Sequence, residues 1–319
     1  MSVFHPDLWF GRFLPRFSFG PLTTRLLTIL PGRDAPPPED VDVADVEVPG
    51  PAGAPPVLVR CYRPRVLTAP APALLWVHGG GLVFGDHRQD EQANLDLART
   101  LGISVFSMRY RLAPRHRAPA AVEDAYAAFT WLVGAAAERG VDPARIAVGG
   151  ASAGGGIAAA LALMARDRGG PQPAFQLLVY PMLDDRTVPR TESGEAGFDT
   201  RDARIWSPGS NRYGWTSYLG GEPGRTDVPA YAAAARHDDL TGLPPAWVGV
   251  GTLDLFHEED LAYARRLEAD GVPCEVEVVD GAFHGFDAIF PRTGVSRAFW
   301  RAQARALGRA LDTRGRPAG

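Results

Sequence analysis

The sequence predicts an α/β protein in which helices cover both faces of a mostly parallel sheet. Short apolar runs rich in Val, Ile and Leu alternate along the chain with longer stretches of helical spacing. Such alternation is typical of parallel strands joined by helical crossovers, and sheets of this kind are buried on both faces. With 319 residues, 45% of them hydrophobic, the chain is long enough to bury the core that this architecture requires.

The predicted elements follow from the apolar runs and from the turn residues that separate them. Strands are predicted at 57–62, 73–78, 103–110, 145–149, 175–180, 246–251 and 275–279. Helices are predicted at 89–101, 119–139, 153–168, 257–270 and 295–311.

Two aromatic-rich segments do not fit this alternation. Residues 1–40 carry six aromatic side chains in their first twenty positions and end in a proline and acid stretch. The interval at about 184–230 contains Trp206, Tyr213, Trp215 and Tyr218 but no clear strand. Because an insertion of this length in a compact domain is usually a lid, we predict that both segments form a cap over a core domain spanning 41–319. Simple packing of the aromatic rings against the core is the alternative.

Composition excludes several classes of function. A net charge of −4 argues against affinity for nucleic acid or for an anionic membrane. Cys61 and Cys274 have no metal or redox spacing, which suits a reducing compartment, and all 33 basic residues are arginine, which excludes chemistry that needs a lysine amine. The N-terminus lacks the pattern of a signal peptide, and no segment reaches the ~18 apolar residues of a membrane span. We therefore expect a cytoplasmic protein without membrane insertion.

A glycine-rich motif supplies the candidate nucleophile. Gly150-Ala151-Ser152-Ala153-Gly154 has the pattern G-x-S-x-G and lies between a predicted strand and a predicted helix, as a nucleophile elbow does. Glycines two positions either side of Ser152 relieve backbone clashes at so sharp a turn. The N-terminus of the helix then directs free N–H groups at the reacting oxygen. A glycine-rich packing turn is the alternative.

A base and an acid for this serine are available in the required order. A serine hydroxyl needs a base to take its proton, and the base needs an acid to hold its tautomer. His284 is the one histidine beyond the last predicted strand, and Asp254 is the first acid after strand 246–251. Glu258 and its two acidic neighbours fall where the next helix begins, a position at which acids also occur because of the helix dipole. For Asp254 the alternative role is a helix N-cap.

The stretch WVHGGGLVFG at 76–85 supplies donors for a developing oxyanion. Its glycines allow backbone N–H groups to approach a substrate carbonyl closely, and the N–H of Ala153 is the expected partner donor. We expect His78 to hold this loop in place rather than to act as a catalyst.

Taken together, these motifs resemble the hormone-sensitive-lipase-like branch of the α/β-hydrolases, the bacterial esterases with an HGGG loop. The matching segments cover about residues 40–310 in one order: 78–81 with Gly85, 110–114, 119–120 with 123–124, 150–154, 180–185 and 284–286. The resemblance implies an α/β-hydrolase fold with a helical cap. It also implies a triad of Ser152, Asp254 and His284, with oxyanion donors at Gly80, Gly81 and Ala153.

Two positions depart from the pattern of this family. Ala151 stands where the family usually has an acid or threonine, which leaves the subfamily open. Leu255 replaces the proline that usually follows the acid, so Glu258 remains a rival to Asp254.

The function expected from these residues is that of a serine carboxylesterase acting on short- to medium-chain esters. It would use no metal or organic cofactor and bind no nucleic acid; a homodimer is left open. The alternatives are an amidase or lactonase with the same triad, and a non-catalytic ligand-binding protein like the plant gibberellin receptors of this branch.

Overall fold

The computed structural model describes residues 3–15, 18–29, 38–187 and 202–313. Within them eight strands form one sheet in the order β1-β2-β4-β3-β5-β6-β7-β8. Their bounds are β1 Val41–Val48, β2 Val57–Pro64, β3 Ala71–Val77, β4 Ser104–Arg109, β5 Val141–Ala151, β6 Gln176–Val179, β7 Ala246–Gly251 and β8 Cys274–Val279. Strand β2 pairs antiparallel with β1 and β4, and every other pairing is parallel. The predicted α/β class is confirmed.

Strand β1 is the one strand that the sequence analysis did not predict. It lies at the edge of the sheet, and most of its side chains between the buried ends Val41 and Val48 are at least partly exposed. Acidic residues alternate with valines along it, so it lacks the continuous apolar run of a central strand. One of these acids, Asp45, lies opposite Arg60 of β2 and accepts a hydrogen bond from it at 2.9 Å.

The predicted helices are present, with small shifts at their ends. In chain order the helices are α1 Pro21–Ile29, α2 Glu91–Leu101, α3 Ala120–Gly134, α4 Ala136–Arg139, α5 Ala153–Asp167, α6 Pro208–Leu219, α7 His257–Ala269, α8 Phe286–Ile289 and α9 Gly294–Ala310. The predicted helix 119–139 is divided at Ala135 into α3 and α4. Short 3₁₀ helices span Pro6–Phe13, Asp185–Thr187 and Ala234–Arg236.

Alternation along the central strands divides the core into two layers. In β3, Leu75 and Val77 pack in one hydrophobic cluster with α3, α5 and α7, whereas Leu74 and Trp76 pack in a second cluster with α2 and α9. Successive residues of a strand point to opposite faces, so the sheet is covered on both sides.

The parallel strands place the functional loops at one edge. Because β3, β5, β6, β7 and β8 run in the same direction, the loops that follow them meet at their carboxyl ends. Small residues bring α5 against this edge: a Cβ at Gly154 would overlap the carbonyl oxygen of Val77, and one at Gly156 would overlap that of Met182. The glycines after Ser152 are therefore required by close packing of backbone on backbone.

The predicted cap segments contact each other in the parts that are described. Phe19 stacks on Trp206 with ring centroids 5.8 Å apart, and the hydroxyl of Thr24 lies 3.2 Å from that of Tyr213. Residues 1–2, 16–17, 30–37 and 188–201 of the two predicted segments lie outside the described residues. No helix in the described ranges is long and apolar enough to span a bilayer.

Candidate active site

Ser152 occupies a strained turn between β5 and α5. Its backbone has φ 57° and ψ −122°, a conformation that side-chain-bearing residues rarely adopt. The turn is held by the backbone, because the Ser152 N–H donates to Val179 O at 2.9 Å and the Ser152 carbonyl accepts the Met182 N–H at 2.9 Å. A Cβ at Gly150 would lie 2.5 Å from the carbonyl carbon of Gly154, so the two flanking glycines are both needed.

The structure brings the three predicted residues into one hydrogen-bonded chain. Ser152 Oγ lies 2.9 Å from His284 Nε2, and His284 Nδ1 lies 2.8 Å from Asp254 Oδ2. Asp254 is fully buried, whereas Ser152 and His284 each retain 6% exposure. With the Nδ1–H donating to the carboxylate, Nε2 is free to accept the serine proton, which is the arrangement that a general base requires.

Glu258, the rival acid, does not contact His284. Its carboxylate lies 3.1 Å from Nδ1 of His257, and its side chain is 69% exposed. The next acid, Glu259, accepts the backbone N–H of Leu183 at 2.7 Å and so supports the loop after β6. Asp260 is fully buried, and neither of its carboxyl oxygens has a hydrogen-bond partner in the described chain. Burial raises the pKa of both Glu259 and Asp260 well above the ordinary value for a carboxyl group.

Aromatic rings surround the imidazole of His284. Phe256 and Tyr180 form T-shaped contacts with it at centroid distances of 5.1 and 4.9 Å, and Trp206 lies 6.4 Å away. Tyr180 has φ 34°, and its hydroxyl donates to Asp287 Oδ1 at 2.8 Å. Tyr180 is the first residue of the motif at 180–185 and Asp287 directly follows the motif at 284–286, but the sequence analysis assigned neither of them a role of its own.

The glycine loop after β3 passes beside the nucleophile. Gly80 and Gly81 have φ of 113° and 58°, and a Cβ placed on Gly81 would overlap the ring of Trp206. A Cβ on Gly79 would lie 3.5 Å from that of Ser152. Among the described residues, no protein acceptor takes the N–H groups of Gly80, Gly81 or Ala153, so these three can donate to a bound oxyanion.

The buried side chain of His78 stabilises the conformation of this loop. It is completely buried, its Nδ1 donates to the Gly79 carbonyl at 2.7 Å, and its ring stacks on Tyr110 at 4.3 Å. Burial lowers the pKa of His78 to about 4, so the ring is neutral at physiological pH. The geometry is that of a structural histidine.

The motif at 110–114 is tied to the motif at 123–124 by an ion pair. Arg111 donates to both carboxylate oxygens of the buried Asp124, with a shortest N–O distance of 2.7 Å, and the backbone N–H of Arg111 donates to the same carboxylate. This bidentate contact fixes the chain that follows β4 against α3.

Comparison with known proteins identifies the family. Residues 74–288 match the sequence profile of a family with the α/β-hydrolase fold. The chain belongs to the α/β-hydrolases, in their hormone-sensitive-lipase-like branch. The family and fold predicted from the motifs are thus confirmed.

Several relatives of this hydrolase are named esterases. It is 38% identical over 252 residues to Esterase LipI of Mycobacterium tuberculosis, covering 77% of this chain and 75% of that protein. It is 37% identical over 237 residues to Carboxylesterase NlhH of the same species, with 72% and 70% covered. Among solved structures, a bacterial heroin esterase superposes with a TM-score of 0.86 at 36% identity and 97% and 98% coverage. Esterase LipW from Mycobacterium marinum gives 0.75 at 39% identity, with 85% and 82% covered.

An aromatic wall and a groove lie beside the glycine loop of this hydrolase. Phe19, Phe84 and Trp206 form an aromatic wall, in which Phe19 lies 5.0 Å from Phe84 and 5.8 Å from Trp206. A groove of about 780 Å³ adjoins the loop and is lined by Thr24 and Tyr213 of the predicted cap as well as by core residues. Within the described residues, no group of three or more His, Cys, Asp or Glu side chains is placed to hold a metal ion.

Proposed function

We propose that this protein is a serine carboxylesterase that hydrolyses short- to medium-chain carboxylic esters through an acyl-enzyme. The observation that carries the proposal is the hydrogen-bonded chain from Ser152 through His284 to the buried carboxylate of Asp254. The naming of relatives as esterases at 37–38% identity supports the ester as substrate class.

In the first half of the reaction, His284 takes the proton of Ser152 as the serine oxygen attacks the ester carbonyl. Asp254 holds the Nδ1–H and stabilises the imidazolium that forms. The negative charge on the carbonyl oxygen is stabilised by the N–H groups of Gly80, Gly81 and Ala153, which are not bonded to any acceptor among the residues that the structure describes. The tetrahedral intermediate then collapses, and His284 returns its proton to the departing alkoxide.

In the second half, water repeats the same steps on the acyl-enzyme. His284 deprotonates the water as it attacks the acyl carbonyl, and the oxyanion is again stabilised by the backbone donors. Collapse releases the carboxylic acid and returns the proton to Ser152 Oγ, so the enzyme ends as it began.

The predicted cap determines which acyl chains fit. The aromatic wall connects the glycine loop, through Phe84, with segment 18–29, through Phe19. Its third ring, Trp206, lies 6.4 Å from His284, so the wall limits one side of the space beside the catalytic histidine. Each methylene buried there contributes up to about 0.8 kcal/mol, and a chain that reaches the wall gains no more. We therefore propose an optimum at butyryl to octanoyl esters.

A matched substrate series tests the proposed reaction. p-Nitrophenyl esters of increasing acyl length are compared with p-nitroanilides of the same acyl groups and with simple lactones. We expect esters to give the highest kcat/KM by at least about a hundredfold, because p-nitrophenolate leaves the tetrahedral intermediate more readily than p-nitroaniline. Faster hydrolysis of the anilides or lactones would replace the esterase with an amidase or lactonase, and no turnover of any of them would indicate a ligand-binding protein.

Location and assembly remain predictions. Cytoplasmic residence is tested by cell fractionation, and the open question of a homodimer by analytical ultracentrifugation.

A further inference from the structure

The side chain of Tyr180 contacts two parts of the segment that carries the proposed general base. Tyr180 follows β6, and its ring forms a T-shaped contact with the imidazole of His284 at a centroid distance of 4.9 Å. Its hydroxyl donates to Oδ1 of Asp287 at 2.8 Å, and Asp287 lies in the first turn of α8, the helix that begins directly after the histidine loop. One side chain thus reaches both the imidazole and the helix that follows it.

The position of the Tyr180 ring is imposed by its backbone and its neighbours. The residue has φ 34°, which residues other than glycine rarely adopt, and strain of this kind is common at functional sites. Its N–H donates to the Gly249 carbonyl of β7 at 2.7 Å, so the neighbouring strand holds it in place. Phe299 of α9 stacks nearly parallel to the ring, with centroids 6.3 Å apart. The ring is therefore held against His284.

The hydroxyl of Tyr180 is a lasting hydrogen-bond donor. Burial, together with the nearby Asp287 carboxyl group, raises the pKa of Tyr180 well above its ordinary value. The hydroxyl therefore keeps its proton at physiological pH. Of the three rings around the imidazole, Phe256 has no polar atom and Trp206 donates its Nε1–H to Asn211. Within the described residues, Tyr180 is thus the ring of the three that is hydrogen-bonded to α8.

The chain around His284 needs support from outside itself. His284 lies between Gly281 and Gly285, which adopt φ of 68° and 70°. Glycines restrict the backbone less than other residues do, so the two turns do not by themselves fix the direction of the histidine side chain. The bond from Tyr180 to Asp287 holds the chain on the C-terminal side of this loop.

We propose that Tyr180 is a positioning residue for the general base, an inference that rests on the proposed function. Its ring and its bond to Asp287 keep the imidazole of His284 within reach of both Ser152 and Asp254. A base is effective only within hydrogen-bond distance of the proton that it takes, so a small displacement of the ring slows catalysis. Tyr180 lines a groove of about 690 Å³ between α2 and α9 and not the groove beside the glycine loop, so it acts through His284.

Tyr180→Phe removes the hydroxyl and keeps the ring. We expect kcat for p-nitrophenyl butyrate to fall at least about tenfold while KM changes less than about twofold, because the imidazole and not the substrate loses a support. Tyr263→Phe is the matched control and should keep kcat within about twofold. Tyr263 is 1% exposed, and its hydroxyl has no hydrogen-bond partner in the part of the chain that is described. An unchanged kcat in Tyr180→Phe, or a change in KM alone, would overturn the proposal.

Variants of Asp287 test the hydrogen bond itself. Asp287→Ala should lower kcat as much as Tyr180→Phe does, and the double variant should be no slower than either, because both remove one interaction. Asp287→Asn keeps an oxygen that accepts the Tyr180 hydroxyl and should stay within about threefold of the wild-type kcat. Additive losses in the double variant, or equal losses in Asp287→Asn and Asp287→Ala, would overturn the proposal. The two Asp287 variants carry the test if Tyr180→Phe does not fold.

Proton NMR of the resting protein separates this role from ester hydrolysis. The Nδ1–H of His284, bonded to Asp254, gives a far-downfield resonance, which is assigned by its loss in Asp254→Asn. We expect this resonance to broaden or disappear in Tyr180→Phe, because a mobile imidazole exchanges the proton with water, and to be unchanged in Tyr263→Phe. An unchanged resonance in Tyr180→Phe would overturn the positioning role. A wild-type protein that shows the resonance but hydrolyses no ester would contradict the proposed function, and the resonance alone would then decide the role of Tyr180.

Discussion

His284 Nδ1 lies 2.8 Å from Asp254 Oδ2, and the other carboxylate oxygen of Asp254 accepts the Phe256 N–H at 3.0 Å. The second contact fixes the carboxylate, so the first one fixes the imidazole. Leu255 thus occupies the position after the acid without displacing it, although a proline is usual there. Backbone N–H donation from the start of the next turn holds this acid in place.

Replacing Asp254 by asparagine tests the acid. The amide cannot hold the Nδ1–H tautomer, so we expect kcat for p-nitrophenyl butyrate to fall by up to about 10⁴-fold with the fold intact. Glu258→Gln is the matched control and should keep kcat within about threefold, since its side chain is 69% exposed. Should Glu258→Gln prove the more damaging of the two, the acid would be Glu258.

Buried Asp260 makes stability depend on pH. Its folded-state pKa is raised because burial disfavours the charged form and because Glu259 and Asp254 repel it. A raised carboxyl pKa stabilises the fold at low pH, and this stabilisation is lost as pH rises from about 4 through the folded-state value. Asp260→Asn should therefore raise Tm by several degrees at about pH 8 and by much less at about pH 5.

Calorimetric scans at the two pH values check this, with Glu258→Gln as the control from the same helix. An equal change in Tm at both pH values for Asp260→Asn would mean that Asp260 is not the titrating group.

Gly81→Ala tests the glycine loop. The added methyl overlaps Trp206, and the backbone already has φ 58°, so the loop must move and its N–H must leave the position of an oxyanion donor. We expect kcat to fall about 10²- to 10³-fold, as loss of one such donor usually costs. Gly53→Ala also places an alanine at positive φ, but in open space, and should leave kcat unchanged. Equal kinetics for the two variants would remove Gly81 from the oxyanion site.

Phe19→Ala tests whether the N-terminal segment sets acyl length. Removing this ring opens the aromatic wall between Phe84 and Trp206, so kcat/KM for decanoyl and dodecanoyl esters should rise relative to butyryl by about tenfold. Substitution is a better test than removal of the segment, because Leu8 is fully buried and its loss would damage the core. Phe13→Ala, at a 68% exposed ring, should leave the chain-length profile unchanged. A wild-type profile in Phe19→Ala would show that this ring contributes packing alone.

Local patterns were sufficient to predict seven of the eight described strands, the helices between them and the order of the three site residues. Apolar periodicity marks the buried strands because both of their faces pack. Chain order places Ser152, Asp254 and His284 on the loops after β5, β7 and β8, which meet at one edge of the sheet. Strand β1 was not predicted from the sequence because its acidic residues face solvent at the edge of the sheet, where a strand needs no continuous apolar run.

Contacts between distant segments could not be predicted. Trp206 packs so closely on Gly81 that any side chain at position 81 would overlap it. These two residues are about 125 positions apart, and neither local sequence pattern predicts the contact. The groove between α2 and α9, which Asp90 and Asp287 line, likewise depends on how these two helices pack. Tertiary packing, which sequence periodicity does not encode pair by pair, decides both.

Turnover by Ser152→Ala tests the central claim most directly. Ser152 is 6% exposed as a residue, and loss of its hydroxyl removes little packing, so the variant should fold with a Tm near that of the wild type. Ser104→Ala, which removes a buried hydroxyl without a described partner at the start of β4, is the matched control and should retain full activity. We predict that Ser152→Ala lowers kcat for p-nitrophenyl butyrate by about 10⁴- to 10⁶-fold while Ser104→Ala does not. A folded Ser152→Ala protein that keeps more than about a tenth of wild-type kcat would contradict the mechanism.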